Sequence, residues 1–288
     1  FPTRRSSDLD ILGHDDPTII RMLEDLTGID AKTIPFDDPK TLSLFSSTEG
    51  IGLTPEQLQG DQVASLAVPE CGTKFVRGML EDSRPQTFSD LVRISGFSHG
   101  TNVWLDNAQD LIKNGTCKLN EAISTRDDVM NFLIHRGMDR KHSFFVMENV
   151  RKGKGIEKRN KQGQATTEFE AEMRENNIPE WFIESCKKIS YLFPRAHAVA
   201  YVMMAFRIAW FKVYHPLAFY AAYFSIRAKA FDLRIMTGDL KTQLTEFNRI
   251  KALDRAASPK DKDLMSALEV SMEMYQRGYR FINVDIQQ

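Results

Sequence analysis

Apolar residues recur at spacings of three and four along most of this chain, the pattern of amphipathic helices that each bury one face. In "TRDDVMNFLIHRGM", Val129, Phe132 and Leu133 follow a capping Thr125 at helical spacing. "KHSFFVMENVRKGKG" ends a helix in two glycines, and "TTEFEAEMREN" and "IPEWFIESCKKISYLF" supply two further amphipathic helices. "RAHAVAYVMMAFRIAWFKVYHP" is the longest, stopped by Pro216; "LAFYAAYFSIRAKAF" follows after a one-turn break, and "DKDLMSALEVSMEMYQRGYRF" is another clear helix. Nearer the start, "DILGHDDPTIIRMLEDLTGI" predicts a short strand, a polar turn and a helix. Asp15 or Asp16 caps that helix, Pro17 suits its first turn and Gly28 closes it. "TIPFDDPKTLSLF" predicts a loop and a short helix, and "LTPEQL" a helix start capped by Thr54 with Pro55 first. From "GTKFVRGML" onward, short helices alternate with glycine and proline. Strand signals are confined to "LDIL" and "FINVDI", and no repeat has solenoid spacing. The pattern predicts a mainly helical chain with small β pieces at both ends.

The 288 residues are 42% hydrophobic and 27% charged, the composition of a soluble globular protein of one large or two ordinary domains. Cys71, Cys117 and Cys186 lie far apart, which excludes a disulfide framework or zinc motif and fits a reducing cytoplasm. "AVAYVMMAFRIAWFKVY" carries Arg207 and Lys212 and is short for a bilayer, so it reads as a core helix and no membrane insertion is expected. Residues 1–9, FPTRRSSDL, share no pattern with the rest of the chain and read as a non-native leader on an internal fragment. Charge is unevenly spread. Residues 10–90 hold 15 Asp/Glu against 6 Lys/Arg, a net of −9, whereas residues 91–288 carry a net of +7. That split suits a polyanion on the later part, or an uneven solvated surface.

Three segments concentrate chemistry. "RKGKG" sets Arg151, Lys152 and Lys154 around Gly153 and Gly155, whose exposed amides would meet phosphate; the other reading is a solvated loop. "SGFSHGTNVW" gathers Ser98, His99, Gly100 and Thr101 in one turn between Phe97 and Trp104, suited to a small-molecule pocket or to a capped helix start. Arg195 and His197 open the long apolar helix, where the dipole and nearby Lys188 favour an anion; alternatively His197 is a partly buried structural histidine. His135 and Arg136 end a helix before Gly137. Asp10, before Gly13, is either a turn residue or a metal ligand whose partner carboxylates lie elsewhere.

Taken together, "DILGHDDPTIIRMLEDLTG", "LFSSTEGIGLTPEQL", "GTKFVRGMLEDSRPQTFSDLVRISGFSHGTNVWLDNAQDLI", "MENVRKGKG", "NNIPEWFIESCKKISYLFPRAHAVAYVMMAFRIAWFKVYHP" and "VDIQ" occur in one order that resembles the PolC-type DNA polymerase III alpha subunit. The resemblance covers essentially all of residues 10–288. It implies a mainly α fold: the end of a small α+β palm over residues 10–52, helical fingers over 53–260, and the start of a helix-hairpin-helix duplex-binding region over 261–288. It implies template-directed transfer of deoxynucleotides to a primer by two-metal phosphoryl transfer, with Mg²⁺ as cofactor and Asp10 as catalytic aspartate and metal ligand. The paired palm aspartates, exonuclease and zinc-bearing portions would lie upstream, so this segment alone is expected to be inactive.

By the same resemblance, Ser98, His99, Gly100, Thr101, Arg136, Arg151, Lys152 and Lys154 would bind the nucleotide, and Lys188, Arg195 and His197 DNA or phosphate. Partners would be primer–template DNA, deoxynucleoside triphosphates and, through the full-length chain, replisome subunits such as the sliding clamp. Two departures stand out: "GIEKRNKQGQATTEFEAEM" is longer than the usual connection, and Cys71 stands where a bulky residue is expected. The alternative from another class is a non-enzymatic helical nucleic-acid-binding module.

Overall fold

The computed structural model describes residues 14–156, 158–159, 165–166 and 168–282. Among these described residues, fourteen α-helices run in order: α1 Asp16–Thr27, α2 Pro39–Ser43, α3 Lys74–Ser83, α4 Phe88–His99, α5 Gln109–Lys113, α6 Arg126–His135 and α7 Arg140–Arg151. Then come α8 Glu168–Glu175, α9 Glu180–Lys188, α10 Arg195–Tyr214, α11 Pro216–Ala222, α12 Leu233–Met236, α13 Leu240–Leu253 and α14 Pro259–Gln276. Between α7 and α8 a two-stranded antiparallel ribbon pairs β1 Lys158–Arg159 with β2 Ala165–Thr166. The chain is mainly helical, as its periodicity predicts. "LDIL" and residues 283–288 lie outside the described residues, and Phe281 and Ile282 are not in a strand.

Local chemistry sets most helix ends. Pro17 sits in the first turn of α1, and Gly28 at φ 72° returns its amide to the Glu24 carbonyl. Asp15 makes no side-chain cap there, and Asp16 is buried and paired with Arg227 at 2.9 Å instead. Thr125 and Asp128 form a capping box on α6, and Ser258 and Asp261 form another on α14. α13, which is not among the elements expected above, is capped by Asp239, which accepts from the Thr242 amide at 2.8 Å.

α10 is the axis of the fold. It packs against α1, α2, α4 and α11, and its residues enter two of the three apolar clusters. In the larger cluster Phe206 is fully buried, with the rings of Phe36, Phe88 and Phe45 at 5.7, 6.0 and 6.3 Å. In the second, Ile208 and Phe211 meet Ile19 and Leu23 of α1 and Val270 of α14. The third joins α13 and α14 through Phe247, Ile250, Leu268 and Met272. α10 is long and apolar enough to cross a membrane, yet half of it is buried in the fold and its Lys212 is wholly enclosed, as befits a core helix. Burial also pushes all three thiols up, Cys117 to about 11, so none is poised as a nucleophile.

Candidate nucleotide-binding site

The chain from Ser190 to Pro194 lies extended between α9 and α10, as the residue before a proline favours. This short segment gathers pieces far apart in sequence. Thr101 pairs with Tyr191, its amide donating to the Tyr191 carbonyl at 3.0 Å while the Ser190 amide donates to the Thr101 carbonyl at 3.0 Å. The Leu192 amide donates to the Arg151 carbonyl at 3.4 Å, and the Arg126 amide to the Phe193 carbonyl at 3.1 Å. Asp127 then accepts from the Arg195 amide at 2.9 Å, tying the first turn of α10 to the start of α6.

Two glycines make these approaches possible. At Gly153 (φ 67°) a Cβ would lie 2.5 Å from the Ser190 carbonyl oxygen, so both the backbone conformation and the contact demand glycine. At Gly100 a Cβ would lie 2.4 Å from Val103 and 3.1 Å from the Tyr191 carbonyl oxygen. Three amides of "RKGKG", that of Gly153 among them, depart from the sequence expectation. Lys152 and Lys154 donate to the Asn149 carbonyl at 3.2 and 2.9 Å, and Gly153 donates to Val150 at 3.0 Å. These three close the C-terminus of α7 and are not available to phosphate; besides the Gly155 amide, what this loop offers an anion is its side chains.

Those side chains differ in freedom. Glu148 accepts from Arg151 at 2.6 and 2.9 Å and pairs with Lys152 at 2.9 Å, and these cations hold its carboxyl down at about 2. The trio therefore carries one net positive charge. Lys154 is exposed and unpaired among the described residues. Arg195 is 42% exposed, with Asp128 only at 3.9 Å, so its guanidinium can take another partner. Lys188 donates to the Asp106 carbonyl at 2.7 Å and steadies the turn after Thr101.

The Ser98–Thr101 stretch ends α4 rather than starting a helix. Ser98 donates to the Ser95 carbonyl at 3.0 Å. His99 has the Ser95 carbonyl 2.8 Å from Nδ1 and Glu70 3.0 Å from Nε2, so both ring nitrogens face acceptors. The hydrogen bond to Glu70 raises the His99 pKa against the opposing effect of burial. Glu70 itself sits at φ 64°. It also lines a cleft of about 830 Å³ on the side of α14, where Arg77 is paired with Asp61 and Glu269.

From His99 a row of rings crosses the surface: Phe193 at 4.8 Å, His197 at 5.1 Å, Tyr201 at 4.6 Å, and His14 at 4.9 Å, where the Tyr201 hydroxyl meets His14 Nε2 at 2.8 Å. His197 is exposed rather than partly buried. The row ends four residues from Asp10, which lies outside the described residues.

The structure thus brings together Ser98–Thr101, Arg151–Lys154, Lys188, Arg195 and His197. It does not bring Arg136 to them. Arg136 caps the far end of α6, about 15 Å along the helix from Thr125. There it lies over the Phe132 ring at 5.2 Å and donates to the Asn177 carbonyl at 3.2 Å. Sequence reasoning missed Glu70, Tyr191, Phe193 and Glu148. Only Phe193, before a proline, carried a local signal; the others act through contacts that no nearby spacing announces.

A family model for the bacterial DNA polymerase III alpha subunit finger domain matches residues 16–177, and the chain belongs to that family. More specifically, its similarity is to PolC-type polymerases. It is 57% identical over 278 residues to "DNA polymerase III PolC-type" of Caldanaerobacter subterraneus, 54% over 278 to that of Bacillus subtilis and 56% over 281 to that of Thermotoga maritima. Each match covers 96% of this chain, which spans about a fifth of the length of these relatives.

Proposed function

We propose that this chain forms the nucleotide-binding fingers of a replicative DNA-directed DNA polymerase. The observation that carries the reading is the convergence on Ser190–His197 of the cationic Arg151–Lys154 segment, Arg195 and a row of rings within a finger-domain fold. An incoming deoxynucleotide presents a base that stacks on rings and a triphosphate that needs fixed positive charge. Arg195, Lys154 and the Arg151–Lys152–Glu148 group supply that charge. His99 is committed to Glu70 and acts by holding Phe193 from below. Primer–template DNA and deoxynucleoside triphosphates are the substrates in this reading.

Two-metal chemistry belongs to the proposal through Asp10. Among the described residues no three His, Cys, Asp or Glu side chains converge on a metal position. The Mg²⁺ ligands in this reading are therefore Asp10 and carboxylates that the described residues do not include.

The test is a chimera of the Bacillus subtilis relative carrying residues 10–288 of this chain. It should extend a primer, lose that activity with Asp10→Asn, and require more nucleotide with Arg195→Ala or Lys154→Ala. Unchanged nucleotide dependence in both cation variants would remove them from the site. A chimera that binds DNA, whose binding a complementary deoxynucleotide does not strengthen, would instead favour a non-enzymatic binding module.

A further inference from the structure

The outer face of α7 carries an arrangement that the nucleotide site does not use. Its inner face buries Ser143, Val146, Met147 and Val150. On the outer face stand two consecutive phenylalanines, Phe144 at 47% and Phe145 at 44% exposure. Their rings are 6.1 Å apart at 64°, and neither meets another ring among the described residues. Solvated helix faces are ordinarily polar, so a pair of adjacent exposed aromatic rings calls for an occupant.

The surroundings say which. Seven residues make almost two full turns, so Phe144 lines up with Arg151 and Phe145 with Lys152, about 10 Å further along the helix. Arg140 and Lys141 flank the rings on the other side. Both are exposed, and neither has a carboxylate partner among the described residues. Glu148, on the same face, is already held by Arg151 and Lys152. Residues 139–154 hold five Lys/Arg against two Asp/Glu. The row continues to Tyr191, 41% exposed, beside the Leu192 amide that bonds to Arg151. Aromatic rings thus alternate with cations along one line: Arg140 and Lys141 have no carboxylate partner among the described residues, and Arg151 and Lys152 share the single Glu148. An apolar protein surface would satisfy the rings and strand the cations. A single nucleic-acid strand satisfies both, because every base has a π-face and every link a phosphate.

We infer that Phe144 and Phe145 form a stacking platform for unpaired bases of a DNA strand, whose phosphates Arg140 and Lys141 hold. The assignment of that strand as the unpaired template rests on the polymerase reading above; the platform itself does not.

The whole 288-residue chain should be titrated with a fluorescent single-stranded oligonucleotide, an abasic oligonucleotide of equal length, and a blunt duplex. Phe144→Ala/Phe145→Ala should bind the normal oligonucleotide roughly fivefold or more weakly, with the duplex unchanged. The unaltered chain should show a similar loss on the abasic strand, since stacking needs a base. Lys141→Ala should lower the salt dependence by about one ion, which the phenylalanine variants should leave alone. Phe144→Leu/Phe145→Leu keeps the apolar bulk, so a folded Leu variant that still loses affinity separates stacking from misfolding.

Equal binding by the unaltered chain and the Leu variant, or equal binding of normal and abasic strands, would overturn the platform. So would a loss of thermal stability in the chimera with no change in strand affinity, since another part of the polymerase would then cover the rings. A chimera that fails to extend primers while strand binding still depends on the rings would sink the polymerase reading alone.

Discussion

Replacing Lys212 by alanine should destabilise this chain severely. Lys212 lies in the middle of the fold with no exposure, and its ammonium donates to Ala64 at 2.8 Å, Leu66 at 2.6 Å and Glu273 at 2.9 Å. The second Glu273 oxygen accepts from the Tyr220 hydroxyl at 2.7 Å, and Arg277 donates to the Lys212 carbonyl at 2.9 Å. Burial pushes the Lys212 pKa down to about 8 against the pull of Glu273, so the ammonium is still largely charged at neutral pH. Alanine would leave a carboxylate and two carbonyls facing a void. Breaking a buried ion pair from one side costs about 3–5 kcal/mol. At about 2–4 °C for each kcal/mol in a chain of this order of size, Tm should fall by roughly 6–20 °C, read by circular dichroism. Lys212→Met with Glu273→Gln should cost less than the sum of the two single changes, by about 0.5–3 kcal/mol, because no unpaired charge remains buried. A Lys212→Ala variant within about 1 kcal/mol of the parent, or strictly additive singles, would refute the reasoning. The pair also fixes the Ala64 and Leu66 carbonyls, and so anchors the strand of chain that leads to Glu70.

Three further changes probe the site from different sides. Glu70→Gln should lower the His99 pKa seen by NMR titration. Because the folded pKa is raised, the pair's stabilisation is complete below the ordinary histidine value of about 6.5 and fades as pH climbs past the raised value. The stability gap between parent and variant, about 1 kcal/mol or less for a partly exposed pair, should therefore close as pH rises from the ordinary histidine value through the raised His99 value; a gap that widens would contradict the assignment. Gly153→Ala forces a left-handed conformation on alanine and a clash with Ser190, so at least about 1–3 kcal/mol should be lost in urea unfolding. Asp128→Ala removes the acceptor of four hydrogen bonds from Ser124 and Thr125 and should cost about 1–2 kcal/mol. An unchanged midpoint in that variant would mean that the start of α6 is held from elsewhere.

Much of the secondary structure is written in the sequence over spans of four residues. Pro17 and Gly28 bound α1, Thr125 with Asp128 starts α6, Gly137 follows its end, and Pro216 separates α10 from α11. Such signals work because a cap or a proline acts on the backbone beside it. α13 is written in the same way, in its Asp239 cap and in Leu240, Leu244, Phe247 and Ile250 at helical spacing, and what only the fold shows is that Phe247 and Ile250 meet Leu268 and Met272. Nor does local pattern show that the end of α7 consumes the Lys152, Gly153 and Lys154 amides.

Which segments share a site was decided by the tertiary fold alone. Thr101, Arg126, Arg151 and Arg195 meet because one extended stretch, Ser190–Pro194, spends its backbone hydrogen bonds on three distant loops. The pairing of His99 with Glu70, 29 positions earlier, and the separation of Arg136 from the other cations arise from how α4 and α6 pack, not from neighbouring residues. The sequence determined that cations, glycines and rings were present in the right order for a polymerase finger; long-range packing chose which of them face one another, because a buried backbone group must find a partner wherever the fold supplies one.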